Sequence, residues 1–238
     1  MKLVTTFVLS MILAISTAHA SPESPVVVID PGHGGSNAGT HGAGMHEKQL
    51  TLVLSDLVAQ RLRAKGITVE LTRTTDRTLT LRQRAARADE IPADVFVSIH
   101  ANASPTRTQR GFETFVLTPR GVDVDARALR ADTRTTRPNV DPEIALVLDD
   151  VERGSTQWES ADLAARIQRE LRERRGKAGD RGVRQDSQHV LLGATMPAVL
   201  VEVGFLDHPI EGKELASPVV QGQVADAIAR AILEQLDD

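Results

Sequence analysis

The sequence predicts an α/β fold: a single domain with a mostly parallel, twisted sheet of about six strands and helices on both faces. Aliphatic runs of strand length alternate with longer segments of helical periodicity, which is the order of a parallel sheet with crossover helices. Hydrophobic residues make up 41% of the 238 residues, enough to bury a core. Aromatic residues make up only 3%, so this core is built mainly from aliphatic side chains.

The first predicted elements follow one another closely. Residues 26–29 are a β-branched run that stops at Asp30-Pro31-Gly32, which indicates a buried strand followed by a loop. From Glu47 to Lys65 apolar residues recur with helical spacing, and Gly66 supplies the stop. The pattern then predicts a strand over 67–71, a helix over 81–88 that starts near Thr80, and a strand over 94–99.

The second half of the chain is less regular. The pattern predicts a strand over 111–117, an irregular stretch over 118–158 with one helix-like patch at 143–151, a helix over 160–174, a strand over 199–203, and a closing helix over 219–236. No internal repeat or long linker separates these elements. We therefore expect one catalytic domain over 26–238, preceded by a short lead-in over 21–25.

The first 20 residues have the pattern of a secretory signal peptide. Lys2 precedes an apolar run, and Ala18-His19-Ala20 places small residues before a cleavage point. A membrane anchor is the alternative, but the run is shorter than the roughly 20 residues that span a bilayer. We therefore expect export after cleavage at Ala20, with no membrane span left. The periplasm is the expected compartment, and the cell wall or the extracellular space is the alternative.

Composition removes other classes of protein. The chain has no cysteine, so no disulfide supports its fold and no lipid anchor can be attached to a cysteine. The net charge of −4 and the scarcity of aromatic residues argue against a nucleic-acid partner.

Four polar residues lie at or beside the ends of predicted elements, where open α/β sheets bind their ligands. His33 follows the first strand after a Pro-Gly turn, and His100 ends a later strand. Glu47 opens the first long helix. Glu202 stands inside an apolar run, where a carboxylate is costly to bury without compensation.

Two imidazoles and one carboxylate with an open fourth position are the ligand set of a catalytic zinc site. A further carboxylate could carry a proton from water to a leaving amine, and Glu202 has the chemistry for that role. Simpler interpretations stay open: a capping or strand-end histidine for His33 and His100, and a first-turn acid favoured by the helix dipole for Glu47. Spacing alone does not decide between them.

Five separated segments carry these residues or flank them: VVVIDPGHGG at 26–35, Glu47-Lys48 within HEKQL, VSIHAN at 97–102, RGFETFVL at 110–117, and MPAVLVEVGFLDHP at 196–209. Together they resemble the motifs of N-acetylmuramoyl-L-alanine amidases of the AmiA/AmiB/AmiC and CwlV type. They occur in the family's order and span nearly the whole mature chain, which makes the resemblance specific.

The resemblance implies one zinc ion per chain, held by His33, Glu47 and His100, with Glu202 as the catalytic glutamate. The implied reaction is hydrolysis of the amide between N-acetylmuramic acid and the L-alanine of the stem peptide in peptidoglycan. The alternatives are a zinc peptidase or amidohydrolase acting on other amides, and a non-catalytic peptidoglycan-binding module.

Two departures and one insert modify this expectation. The family usually has Asp where this chain has Asn37, a residue that we do not expect to bind metal. His208 replaces a non-histidine residue of the family, and we expect it in a surface turn. The insert over 118–159 is either a regulatory lid, which an activator protein would release, or an ordinary packing segment.

Overall fold

The computed structural model describes residues 24–117, 142–186, 189–192 and 194–237. The signal peptide over 1–20 and residues 118–141 of the insert lie outside the described residues, and the statements made about them stay predictions. Among the described residues, no helix is both long and apolar enough to cross a membrane.

A six-stranded sheet forms the centre of the molecule. Its strands are β1 (Val26–Pro31), β4 (Thr68–Leu71), β5 (Val95–Asn102), β6 (Phe112–Leu117), β7 (Asp180–Asp186) and β8 (Ala198–Phe205), in the spatial order β4-β1-β5-β8-β6-β7. Only the pair β6–β8 is antiparallel; the other four neighbouring pairs are parallel. The mostly parallel six-stranded sheet is therefore confirmed. A separate small hairpin pairs β2 (His41–Gly42) with β3 (Met45–His46).

Five α-helices connect or cover the described strands: α1 (Glu47–Arg63), α2 (Leu81–Asp89), α3 (Pro142–Arg175), α4 (Glu211–Leu215) and α5 (Pro218–Leu236). Successive side chains of a strand point to opposite faces of the sheet. Val27 and Ile29 of β1 accordingly join a core with buried residues of α1, α3 and α5. Val28 joins a second core on the opposite face, with Ala88 of α2. Burial on both faces explains why the strands are continuous apolar runs.

Capping interactions place two helix starts where the sequence predicts them. The Gln49 side chain accepts a hydrogen bond from the His46 backbone N–H at 2.9 Å, so α1 begins at Glu47. The Thr80 hydroxyl accepts from the Gln83 backbone N–H at 3.2 Å and caps α2. These reciprocal contacts satisfy backbone groups that have no partner within the helix.

One prediction about the second half is wrong, and one strand was not predicted. Helix α3 runs without a break from Pro142 to Arg175, whereas the sequence predicts only a helix-like patch at 143–151 before the helix at 160–174. Apolar residues on its later turns pack into the core, and helix growth from that packed part is cooperative. Strand β7 was not predicted, because an edge strand needs no apolar alternation and Val183 is exposed in it.

Candidate metal centre

Three predicted ligands converge at the carboxyl ends of β1 and β5. His33 lies in the loop after β1, Glu47 is the first residue of α1, and His100 lies near the end of β5. One ligand atom from each lies within 4.8 Å of those of the other two. Glu47 Oε1 is 3.0 Å from His33 Nε2 and 3.0 Å from His100 Nδ1. The two imidazole rings are edge to face, with centroids 4.9 Å apart.

The chain between β1 and α1 folds back to bring Glu47 to this point. The Thr40 backbone N–H donates to Glu47 Oε2 at 2.9 Å, and the Ala101 backbone N–H donates to Glu47 Oε1 at 3.0 Å. Gly39 allows this close approach with φ +67°, and a Cβ there would lie 2.5 Å from Glu47 Oε2. The carboxylate is thus oriented by backbone groups from two elements.

Asn37 fixes which nitrogen of His33 faces the centre. Its Oδ1 accepts from the Gly39 backbone N–H at 3.2 Å and lies 2.9 Å from His33 Nδ1. An oxygen can only accept, so Nδ1 must carry a proton and donate to it. In the neutral imidazole this leaves Nε2, the atom that faces Glu47, with a free lone pair. This role of Asn37 was not predicted from the sequence.

Two buried arginines hold the carbonyl groups of the loop that carries His33. Arg73 Nε donates to the Pro31 carbonyl at 3.0 Å, and Arg84 donates to the carbonyls of Pro31 and His33. Arg84 also pairs with the fully buried Asp30 at 2.7 Å. His33 has a φ of +58°, a conformation that non-glycine residues rarely adopt. These bonds hold it there, and they offset the conformational cost.

The charges of the three residues are coupled. Burial raises the pKa of Glu47, but hydrogen bonds from His100 and His33 outweigh burial and lower this pKa to about 2. Burial lowers the pKa of His33, yet its hydrogen bond to Glu47 and the charge of Glu47 together raise the pKa above the ordinary 6.5. The carboxylate is therefore ionised at neutral pH, and it draws cations toward the centre.

Glu202 lies beside this group on β8. It is the register partner of His100 on β5, and opposed residues on neighbouring strands share a face of the sheet. Its Oε2 is shielded from solvent and has no hydrogen-bond partner in the described part of the chain. Burial raises the pKa of Glu202 well above its ordinary value, and the nearby Glu47 and Glu113 raise it further.

Glu113 on β6 is a further acidic residue of the site, and its role was not predicted from the sequence. It is the register partner of Glu202 and is 5% exposed. Asn102 Nδ2 donates to its Oε1 at 2.7 Å, and Arg181 Nε donates to its Oε2 at 3.1 Å. A glutamate within the apolar strand FETFVL is a sequence signal for a functional carboxylate. Its arginine partner could not be placed, because strand β7 was not predicted.

Two imidazole nitrogens and one carboxylate oxygen make a donor set that fits a metal ion. Ligands about 2.0–2.2 Å from a tetrahedrally coordinated ion lie roughly 3.3 Å from one another. The separations of 3.0 Å between Glu47 and each histidine come close to that value. His208 takes no part, because its Nδ1 accepts from the backbone N–H groups of Ile210 and Glu211.

A family model described as N-acetylmuramoyl-L-alanine amidase matches residues 27–234. The chain belongs to the N-acetylmuramoyl-L-alanine amidase family. The resemblance carried by the five motifs is thereby confirmed, and so is the assignment to an enzyme class.

Curated relatives and solved structures agree with membership of this family. The chain is 31% identical to the N-acetylmuramoyl-L-alanine amidase AmiA of Escherichia coli over 237 residues, covering 93% of this chain and 82% of that protein. It is 30% identical to the uncharacterized protein YqiI of Bacillus subtilis, covering 94% and 91%. The crystal structure of an N-acetylmuramoyl-L-alanine amidase from Clostridium difficile superposes with a TM-score of 0.70 at 30% identity, covering 90% and 98%. The AmiC2 amidase of Nostoc punctiforme gives 0.69 at 29% identity, with the same coverage.

Proposed function

We propose that the protein hydrolyses the amide between N-acetylmuramic acid and L-alanine in peptidoglycan, with zinc as its cofactor. The observation that carries the proposal is the position of Glu202, whose Oε2 has no hydrogen-bond partner in the described residues and is shielded from water, in register beside His100. His33, Glu47 and His100 would hold one zinc ion per chain. When bound, zinc polarises a carbonyl group and acidifies a water molecule.

The donor set favours zinc over other common ions. Calcium and magnesium take oxygen ligands, and this group offers two nitrogens. Two histidines and a carboxylate also hold non-haem iron in oxygenases, but amide hydrolysis requires no redox chemistry. Zinc acts as a Lewis acid and has no redox chemistry of its own.

Glu202 is the group that we expect to move the proton. It would accept a proton from the attacking water and deliver it to the nitrogen of L-alanine as the amide bond breaks. A carboxyl group transfers protons in both directions best when its pKa lies near the working pH, and burial shifts Glu202 in that direction. Its hydrogen-bonding capacity is not used by other described residues, so it is free for water and substrate.

The cellular setting follows from the predicted signal peptide and the substrate. Peptidoglycan lies outside the cytoplasmic membrane, so we propose export to the periplasm, with the cell wall as the alternative. We keep as a further proposal that the insert over 118–159 regulates access to the site and that an activator protein releases it. A deletion within the insert that accelerates cleavage and leaves the melting temperature unchanged would support regulation.

The test uses purified sacculi with zinc-loaded wild-type protein, Glu202→Gln and Glu90→Gln. Glutamine keeps the shape of Glu202 but cannot carry the proton, so we expect a rate loss of roughly 10²–10⁴-fold with unchanged zinc content. Glu90 is the exposed C-cap residue of α2, where it pairs with Arg87, so its replacement should change nothing. Mass spectrometry should find released stem peptides that begin with L-alanine. Cleavage only within the stem would indicate a peptidase, and binding without release would indicate a non-catalytic module.

A further inference from the structure

A row of side chains crosses four neighbouring strands, from the metal centre toward the outer edge of the sheet. His100 on β5 is opposite Glu202 on β8, and Glu202 is opposite Glu113 on β6. Beyond Glu113, β7 contributes Arg181 and Arg184, which both contact its carboxylate. Opposed residues of neighbouring strands point to the same face of the sheet, so the row begins at the centre and ends in two guanidinium groups.

The two arginines are only partly used by this contact. Arg181 Nε lies 3.1 Å and Arg184 Nε 3.4 Å from the same oxygen of Glu113. The other oxygen of Glu113 accepts from Asn102. In the described part of the chain, no hydrogen bond comes from a terminal nitrogen of either guanidinium. The Arg184 side chain is 51% exposed and that of Arg181 is 29% exposed, so both can reach a ligand.

Two guanidinium groups share one carboxylate in this cluster. Both Nε atoms contact the same oxygen of Glu113, so the positive charge of the pair exceeds the charge of the one carboxylate that it contacts. The Arg181 guanidinium also stacks over the Phe205 ring at 5.0 Å, which restrains its plane. Planar guanidinium groups with free terminal nitrogens match the two oxygens of a carboxylate. One arginine would be enough to neutralise the charge of Glu113. The second arginine, Arg184, has a half-exposed side chain that can reach a ligand.

We propose that Arg181 and Arg184 form a carboxylate subsite that binds the acidic residue following L-alanine in the stem peptide. This proposal rests on the proposed function. The sugars on the other side of the scissile amide are uncharged, so a positive subsite marks the peptide side. Glu113 lies two strand spacings from His100, about 10 Å. Two extended residues span about 7 Å, and a hydrogen bond of about 3 Å from a guanidinium group covers the rest. The peptide therefore lies over β6 and β7, and the glycan lies toward β1 and β4.

The first test measures binding and needs no turnover. The probes are the tripeptide L-alanyl-γ-D-glutamyl-L-lysine and the same peptide with its glutamyl α-carboxyl group amidated, titrated calorimetrically into the zinc-loaded protein. The wild type should bind the acid form roughly tenfold more tightly, as a charge-assisted contact allows. Arg184→Gln should bind the two peptides with affinities that differ by no more than about twofold. The matched control is Arg169→Gln, an arginine on α3 that is also half exposed and paired with a carboxylate, Glu234; it should keep the preference.

A second test compares cleavage of muropeptides that carry the free or the amidated α-carboxyl group. The wild type should have a higher kcat/KM for the acid form, and Arg184→Gln should lose this preference. Arg184→Lys should retain part of it, because lysine keeps the positive charge but lacks the paired N–H donors of a guanidinium group. Equal kcat/KM values of the wild type for the two forms would overturn the subsite, and so would an unchanged preference in Arg184→Gln. A binding preference without any cleavage would refute the amidase proposal and leave the subsite standing.

Discussion

Gly32→Ala is expected to disable the metal centre through a single added methyl group. A Cβ on Gly32 would lie 2.5 Å from Cε1, 2.6 Å from Nε2 and 2.7 Å from Nδ1 of the His100 ring. Gly32 does not need a left-handed backbone, so alanine brings no conformational strain and the effect is purely steric. The ring must retreat by about 0.9 Å to restore an ordinary contact distance of roughly 3.4 Å.

That displacement is large for a metal ligand. Metal–ligand distances tolerate about 0.2 Å, and displacements of about 1 Å at a reacting centre cost roughly 10²-fold in rate. We therefore expect zinc affinity to fall by at least about tenfold and hydrolysis by at least about 10²-fold. Because Nδ1 is the His100 atom that faces Glu47, the affinity should respond directly to the shift.

The assay is competition for zinc against a chelator, with circular dichroism and a thermal melt as controls for folding. Gly222→Ala on α5 is the matched glycine control, since its Cβ would meet only Arg61 Nη2 at an ordinary 3.7 Å. It should raise stability by about 1 kcal/mol and leave zinc affinity unchanged. Wild-type zinc affinity in a folded Gly32→Ala protein would refute the close packing of Gly32 on the ligand.

Three further predictions concern the surroundings of the centre. Asn37→Ala should weaken zinc binding by about 10- to 100-fold, because His33 loses the acceptor that fixes its tautomer. Asn37→Asp keeps an acceptor and should bind zinc at least as tightly as the wild type. Competition with a chelator measures the zinc affinity of both variants. Zinc affinity should fall as the pH drops below the raised pKa of His33, since protons then compete for its nitrogen, and should level off above it; titrations across pH measure this dependence. Glu211→Ala should lower the free energy of unfolding in urea by about 2–4 kcal/mol, because the buried carboxylate accepts from the backbone N–H groups of Gly111 and Phe205.

Each of these has an outcome that would contradict it. Equal zinc affinity of Asn37→Ala and the wild type would show that His33 is oriented by other contacts. A pH-independent affinity between pH 5 and 8 would mean that His33 takes up no proton in the metal-free protein. An unfolding midpoint unchanged in Glu211→Ala would show that water replaces the carboxylate.

The sequence predicted the parts of the molecule that burial dictates. The runs at β1, β5 and β8 are apolar because both faces of each strand are covered, so their ends, and with them His33 and His100, could be placed at one edge. The start of α1 at Glu47 followed from its helical periodicity. These local patterns therefore predicted that His33, Glu47 and His100 lie near one another.

What the sequence did not reveal depends on partners distant along the chain. The role of Arg84 follows from contacts with Asp30 and His33, 54 and 51 residues away, and no local pattern encodes them. Strand β7 is polar on an edge, so the arginines beside Glu113 could not be assigned to the site. Glu202 was identified because a carboxylate within an apolar run is costly, and that cost is visible in the sequence itself.

The reversed direction of β6 places its end on the side of the sheet away from the metal centre. β6 ends at Leu117 on the margin of the sheet opposite the metal centre, and Ser160 of α3 bonds to Ala198 at that same margin. The 18 residues of α3 before Ser160 therefore extend roughly 27 Å beyond it. A reporter attached to these first turns of α3 would therefore stand clear of the three ligands and leave their spacing unchanged.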